Sequence, residues 1–336
     1  MADRNFSFIP ENMKAASSFQ DKAVCFINHL SFNLKDGDRI AIYSEYAAIT
    51  RQESGKTGLY RADNGIPILC DVYDTIEIRH SDSRMKKYAE HDRETLFFEV
   101  SVGDCYGAYS EHGLQLVPIK YKKGIVSFDG FFIVTSTENG AKGVYDEKGR
   151  LIVPVEYDSI SIKYGIIVAS KKVKQERKEY AFNRYGQSLF HERFRSEIIK
   201  GYDKIIVYND CIITREMGGK KLFTKEGTQV FAKKMRAIFI EKKYIIAEDQ
   251  CGKYGVYTLD GKAIIPHEYD RMTRFGRDYI KGKYGDSECL FYRDGVTVIR
   301  RGIYKRITET KYGARAYTFD GTKCDFELRM HSANAL

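Results

Sequence analysis

One short string recurs along this chain, and a chain of that kind folds by repeating a supersecondary unit and burying each copy against the next. The clearest copy runs Lys253-Tyr254-Gly255-Val256-Tyr257, then Gly261-Lys262-Ala263-Ile264-Ile265-Pro266, then Tyr269-Asp270. It returns as Lys142 to Tyr145, Gly149 to Pro154 and Tyr157-Asp158, and as Tyr106 to Tyr109, Gly113 to Pro118 and Tyr121. Looser copies give eight marker glycines: Gly65, Gly113, Gly149, Gly186, Gly227, Gly261, Gly295 and Gly321. Their spacings are 48, 36, 37, 41, 34, 34 and 26 residues, so the underlying period is about 36, with an insertion in the first interval and a truncated last unit.

Each part of the string has a physical role. The apolar and aromatic residues on either side of the marker have the composition of β-strands. The marker closes a tight turn whose last residue is left-handed, a conformation only glycine enters without steric cost. Pro118, Pro154 and Pro266 each stand five residues after a marker, and proline belongs at a strand's exit or edge because it cannot donate to a ladder. Tyr-Asp then opens a second turn, with the Asp side chain bonding nearby backbone. A third apolar run follows, as at Leu96 to Val100 and Phe131 to Val134, so the simplest unit has three strands.

No segment of the array combines helical periodicity with helical length, so the expected class is all-β. Tandem three-stranded units of about 36 residues would stack as an open β-solenoid-like array. A closed propeller-like ring is the alternative, disfavoured because propeller blades have longer periods and four strands. The array spans 56–321, with residues 1–55 as an N-terminal cap and 322–336 as a C-terminal tail. Within the cap, Leu30, Phe32 and Leu34 alternate with polar residues, Asp36-Gly37-Asp38 turns, and Ile40 to Tyr43 returns, which reads as one hairpin. Residues 10–22 read as a short helix.

At these residues the chain resembles the bacterial WG-repeat family, whose unit carries Trp-Gly before a hydrophobic-Tyr pair, an acidic-x-Gly turn, an Ile-Ile-Pro strand and Tyr-Asp. Lys142 to Asp158 and Lys253 to Asp270 match best. The chain departs from the family in having no Trp: Tyr106 and Tyr254 take its place in two copies, Thr57 and Lys142 in two others. The resemblance implies a β-repeat scaffold for recognition, with no particular ligand or chemistry.

Composition narrows the class. With 43% hydrophobic residues and 13% aromatic, the chain is too apolar for disorder, and no apolar run reaches the ~18–20 residues of a membrane span. Met1 to Pro10 lacks the basic start and apolar stretch of a signal peptide. Seven well-separated cysteines argue against a disulfide framework or a zinc knuckle, so a cytoplasmic location is expected. The 55 Lys and Arg against 46 Asp and Glu give +9, which permits acidic partners without demanding them.

No catalytic constellation stands out, and no metal or cofactor is expected. The histidines form no metal pair, and His112 and His267 read as solvated turn residues. Asp74, Asp158 and Asp270 read as turn formers, and Cys105 and Cys251 as semi-buried small residues. Gly-Lys-Tyr-Gly at 252–255 lacks the form of a phosphate loop. Candidate partner-binding residues are those that interrupt the repeat, because loops and insertions vary without disturbing the stacked core. They are Arg84, Lys86 and Lys87 in the insertion at 79–94; Lys171, Lys172, Lys174, Arg177 and Lys178; and Arg300, Arg301, Tyr304 and Arg306. A smaller cluster holds Lys233, Lys234 and Arg236.

The sequence reads as a non-catalytic β-repeat scaffold in a bacterial cytosol that binds another macromolecule, a protein in the first instance. The alternative is an RNA- or DNA-binding module, in which Lys and Arg neutralise phosphates and Tyr stacks on bases. No membrane association is expected, and the sequence does not fix an oligomeric state.

Overall fold

The computed structural model describes residues 24–27, 30–81, 96–192, 195–208 and 211–328, and these contain strands and turns but no helix. The chain divides into two compact units, Met1–Ile160 and Ser161–Leu336. The expected short helix at 10–22 lies outside the described residues.

Three consecutive four-stranded antiparallel sheets make up most of the first unit. Their strands are Arg39–Tyr43, Tyr46–Thr50, Thr57–Arg61 and Pro67–Tyr73; Thr75–His80, Leu96–Val102, Cys105–Ser110 and Gln115–Tyr121; and Val126–Phe128, Phe131–Thr135, Lys142–Asp146 and Leu151–Tyr157. The second unit has the same meander with variations. Ala263–Tyr269 closes a full sheet with Ala237–Ile240, Ile245–Glu248 and Tyr254–Tyr257. Two sheets earlier in this unit keep three strands, and their fourth segment survives as the bridges Phe182–Ser188 and Phe223–Gln229.

The full repeat thus has four strands, not the three expected. The extra strand starts straight after Tyr-Asp and is mostly half-buried, as in Thr75–His80, so its mixed composition reads as a turn. The cap hairpin is corrected too. Leu30–Asn33 pairs with Val24–Ile27, while Arg39–Tyr43 pairs with Tyr46–Thr50 and opens the first repeat.

The fourth strand carries a periodicity that explains the recurring string. Pro67–Tyr73, Leu151–Tyr157 and Ala263–Tyr269 share one burial pattern in which only the third and seventh residues are fully buried. These are Leu69 with Tyr73, Val153 with Tyr157, and Ile265 with Tyr269. Between the two buried positions the register slips: Lys142 faces Tyr157 and Val144 faces Val153, so two steps on the third strand span four on the fourth. Pro154, like Pro118 and Pro266, sits in this bulge, where a missing N–H costs no ladder bond. The glycine of the string faces the bulge. A Cβ on Gly143 would lie 2.9 Å from the Val153 carbonyl oxygen, and one on Gly107 would lie 2.7 Å from that of Val117.

Consecutive repeats are joined by three recurrent contacts. First, the marker glycine both turns and docks. Gly113, Gly149 and Gly227 have φ of 78°, 76° and 87°, and a Cβ on them would lie 2.6, 2.6 and 2.7 Å from the carbonyl oxygens of Ile68, Gln115 and Leu189 in the preceding repeat. Second, the buried Tyr ending one repeat meets an aromatic ring of the next edge to face: Tyr73 on Tyr109, Tyr121 on Tyr145 and Tyr269 on Phe291. Tyr121 and Tyr145 also share a buried hydroxyl–hydroxyl bond of 2.8 Å. Third, carboxylates accept backbone N–H groups from the following repeat. Asp74 accepts from Gly103 at 2.6 Å, Asp270 from Gly285 at 2.7 Å, and Glu179 from Ile205 at 2.7 Å. The Asp of Tyr-Asp therefore ties two repeats together instead of bonding its own turn. Lys56 and Lys253 complete the pairs with Asp74 and Asp270, and these hydrogen bonds hold both carboxyls below the usual range.

The last two repeats are fused. The strand Thr297–Thr310 runs unbroken from one into the next, past Gly302 at φ 85°, and six strands from Arg271 to Glu327 form one sheet.

Candidate functional site

The residues selected from the sequence fall into three groups. Arg84, Lys86 and Lys87 lie outside the described residues. Lys171, Lys172, Lys174, Arg177 and Lys178 all belong to one hairpin, formed by Ile166–Val173 and Glu176–Phe182, in which Lys171 faces Lys178 and Lys172 faces Arg177. Its two-residue tip is Lys174-Gln175, both at positive φ (47° and 67°), the geometry of a turn that matches the strand twist. Much of the charge is engaged at home. Lys178 bonds Asp203 at 2.7 Å and Glu176 at 2.8 Å, which raises its pKa; Arg177 Nε donates to Ser170 at 3.1 Å; and the Lys171 ammonium lies 5.4 Å from the Tyr180 ring centre.

Arg300, Arg301, Tyr304 and Arg306 lie along the fused strand. Arg300, Arg301 and Arg306 are exposed. Arg301 pairs with Glu268 at 2.9 Å and stacks 4.6 Å from the Tyr284 ring centre, and the Glu268 bond raises its pKa. Tyr304 is half-buried with its ring edge to face on Phe326. In the smaller cluster, Lys234 reaches the Met217 carbonyl at 2.9 Å and Arg236 the Glu248 carboxylate at 3.3 Å.

Two expectations about single residues change. His267 is a strand residue, not a solvated turn residue: its Nδ1 lies 2.9 Å from the Lys253 carbonyl and its ring packs on Tyr257. It fills the space that Gly255 leaves, since a Cβ there would lie 2.6 Å from the imidazole. Cys251 is exposed rather than semi-buried. Cys289 stands in the third strand at the place glycine holds in other repeats, and burial pushes its thiol up to about 11. Among the described residues no group of three His, Cys, Asp or Glu is placed to hold a metal ion. No helix there is long and apolar enough to cross a membrane.

Sequence reasoning missed a set of apolar residues at the marker turns. Ile66, Leu114, Leu151 and Val296 follow their marker glycines by one or two positions and are 58%, 56%, 48% and 60% exposed. They look like core residues in an apolar strand. For Ile66 and Leu114 the signal lay in the alternation: the buried Leu69 and Val117 are each four residues past the marker, which turns the first position after it outward, whereas Leu151, at the second position, carries no such signal.

The profile described as WG containing repeat matches residues 143–172 and 254–281. These two repeats are of the WG family. Both matched stretches begin at or beside the glycine that faces the fourth-strand bulge, so the WG signature coincides with the close approach described above. No curated protein is significantly similar to the chain in sequence. Among solved structures, the computationally designed Ika8 protein is 12% identical, with 84% of this chain and 93% of that one covered at a TM-score of 0.25. BamB from Moraxella catarrhalis is 12% identical, with coverages of 79% and 83% and a TM-score of 0.23. A eukaryotic initiation factor is 11% identical, with 88% of each chain covered and a TM-score of 0.30. At such values nothing about this chain's function follows from the likeness.

Proposed function

We propose that the chain is a non-catalytic WG-repeat scaffold that binds another protein in a bacterial cytosol. The observation that carries this reading is the exposed apolar residue at each marker turn of the Met1–Ile160 unit: Ile66, Leu114 and Leu151. Because Gly113 docks on Ile68 and Gly149 on Gln115, the turns of successive repeats follow one another, and so do these side chains. Exposed large apolar residues are unremarkable singly, but a set that recurs at or next to the same turn in successive repeats suits a protein partner. The test is affinity capture from the native host with wild type and with Ile66→Asp/Leu114→Asp/Leu151→Asp. The reading expects a stable protein partner that the triple variant loses while its melting temperature holds. Failure to capture any partner, or equal capture by a folded variant, would count against it.

The second reading, an RNA- or DNA-binding module, draws on the gathering of five basic residues at one hairpin. It expects affinity that falls steeply with salt and is reduced by Lys171→Glu with Arg301→Glu. Unchanged affinity in that double variant would remove it.

A further inference from the structure

We propose that the outer face of the first repeat is an apolar docking surface, and that its occupant is the chain's own hairpin, formed by Val24–Ile27 and Leu30–Asn33. A repeat inside the array has a neighbour on each side, and its second strand is buried on both. In Leu96–Val102, Phe98 and Val100 pack with the first repeat while Phe97 packs with the third. The first repeat has only a following neighbour among the described residues. On its second strand, Tyr46 and Ala48 share a cluster with Phe98 and Val100 of that neighbour. Ala47 and Ile49 alternate with them and so point the other way, yet they are 0% and 1% exposed. Their cluster holds Ile40, Ile42, Tyr60 and Ala62 from the same repeat, together with Leu34. A sheet face buried that completely has a second layer against it.

Three observations name the hairpin as that layer. Leu34 is the one residue of the cluster from outside the first repeat, among the described residues, and it directly follows Asn33, the last residue of the hairpin. The hairpin is therefore tethered at this face. Its register sets Cys25 opposite Phe32 and Ile27 opposite Leu30, so alternation along the two strands places these four apolar residues on one side. A two-stranded hairpin is marginal in water without a layer to pack on, and the outer face offers one. The far end of the array gives the contrast. There Ala314 and Ala316 are buried, while Arg315, which alternates with them, forms an exposed ion pair with Asp325 at 2.6 Å. A polar outer face suits a terminal repeat that nothing covers. The first repeat instead presents Ile40, Ile42, Ala47 and Ile49, which need a cover.

The test on the full chain is cross-linking of the native Cys25 to Ile42→Cys with a bis-maleimide spanning about 10 Å, the spacing of packed sheets. Peptide mapping should find the two thiols joined within one chain, and light scattering should find that chain monomeric. In the same background, Ile27→Asp/Leu30→Asp should abolish the link, because charges on the hairpin's apolar side oppose its docking. Separately, Ala47→Cys should resist maleimide in the otherwise native chain and label at least about tenfold faster when Ile27→Asp/Leu30→Asp is added. Absence of the link where both thiols carry single maleimide adducts overturns the hairpin as the cover. So does unchanged labelling of Ala47→Cys in the aspartate variant. A link that joins two chains overturns it as well, since a second copy would then occupy the face.

Discussion

Gly227→Ala should destabilise the Ser161–Leu336 unit by about 2–4 kcal/mol, whereas Gly321→Ala and Gly285→Ala should each cost about 1 kcal/mol. All three glycines have positive φ, at 87°, 91° and 56°, so each alanine carries a comparable left-handed penalty. They differ in what a Cβ would meet. At Gly321 and Gly285 nothing lies within 4 Å, while at Gly227 the Leu189 carbonyl oxygen would be 2.7 Å away. Leu189 packs on the cluster containing Phe190, Tyr202 and Phe223, and the Phe190 and Phe223 rings are 4.6 Å apart. Relieving the clash therefore lifts the turn off a packed core, an overpacking cost of about 1–3 kcal/mol beyond the strain. For a unit of this size, 1 kcal/mol moves the midpoint by roughly 2–4 °C. Gly227→Ala should thus lower it by roughly 4–16 °C and each control by roughly 2–4 °C. Thermal and urea unfolding of the full chain, followed by far-ultraviolet circular dichroism, compares the same transition across the three variants. Equal losses at all three would refute the claim that the marker glycine is needed for docking as well as for turning. Gly285 guards against the objection that the repeat holding Gly321 frays on its own.

Other expectations follow from contacts and titrations. Tyr121→Phe breaks the buried hydroxyl pair with Tyr145 and should cost about 1–3 kcal/mol; Tyr121→Phe/Tyr145→Phe should cost less than the sum of the single changes, and an additive double-mutant cycle would contradict the pair. Burial acts to raise the Glu216 carboxyl, but Lys200 and Lys221 hold it down at about 2. Its stabilising effect is therefore present above its unfolded value near 4.5 and lost as pH falls toward 2, so Glu216→Gln should lower the urea midpoint by a constant amount above pH 5 and flatten the acid limb between those values. Among the described cysteines, Cys70 and Cys251 should label quickly with a maleimide, while Cys289 should label only on unfolding.

Some of this was legible in the sequence for physical reasons. A left-handed turn admits few residues besides glycine, so the markers announced themselves, and Pro118, Pro154 and Pro266 pointed to one place in the unit. The strand count was not legible, because a half-buried strand such as Thr75–His80 has the mixed composition of a loop. Neither was the partner of Asp74: a Tyr-Asp pair looks local, and only the stacked backbone brings the Gly103 N–H to it. A cleft of about 460 Å³, lined by Glu241, Tyr244, Arg277 and Arg293 among others, was invisible for the same reason. Its charged residues are spread from position 241 to 293 among ordinary turn residues, and only repeat-on-repeat packing gathers them.

The unbroken strand Thr297–Thr310 bears on how far this chain is modular. The four-stranded repeats closed by Tyr73, Tyr157 and Tyr269 each end in their own strand, and the next begins after Tyr-Asp, so a copy could be excised or duplicated at that joint. At the C-terminal end no such joint exists, since one backbone segment supplies hydrogen bonds to both neighbours, with Leu290 opposite Ile299 and Ala316 opposite Ile307. A cut there would leave Ser287–Tyr292 as a bare edge. The natural place to lengthen or shorten the array is after Asp270, with Arg271 to Glu327 kept whole as a terminal cassette.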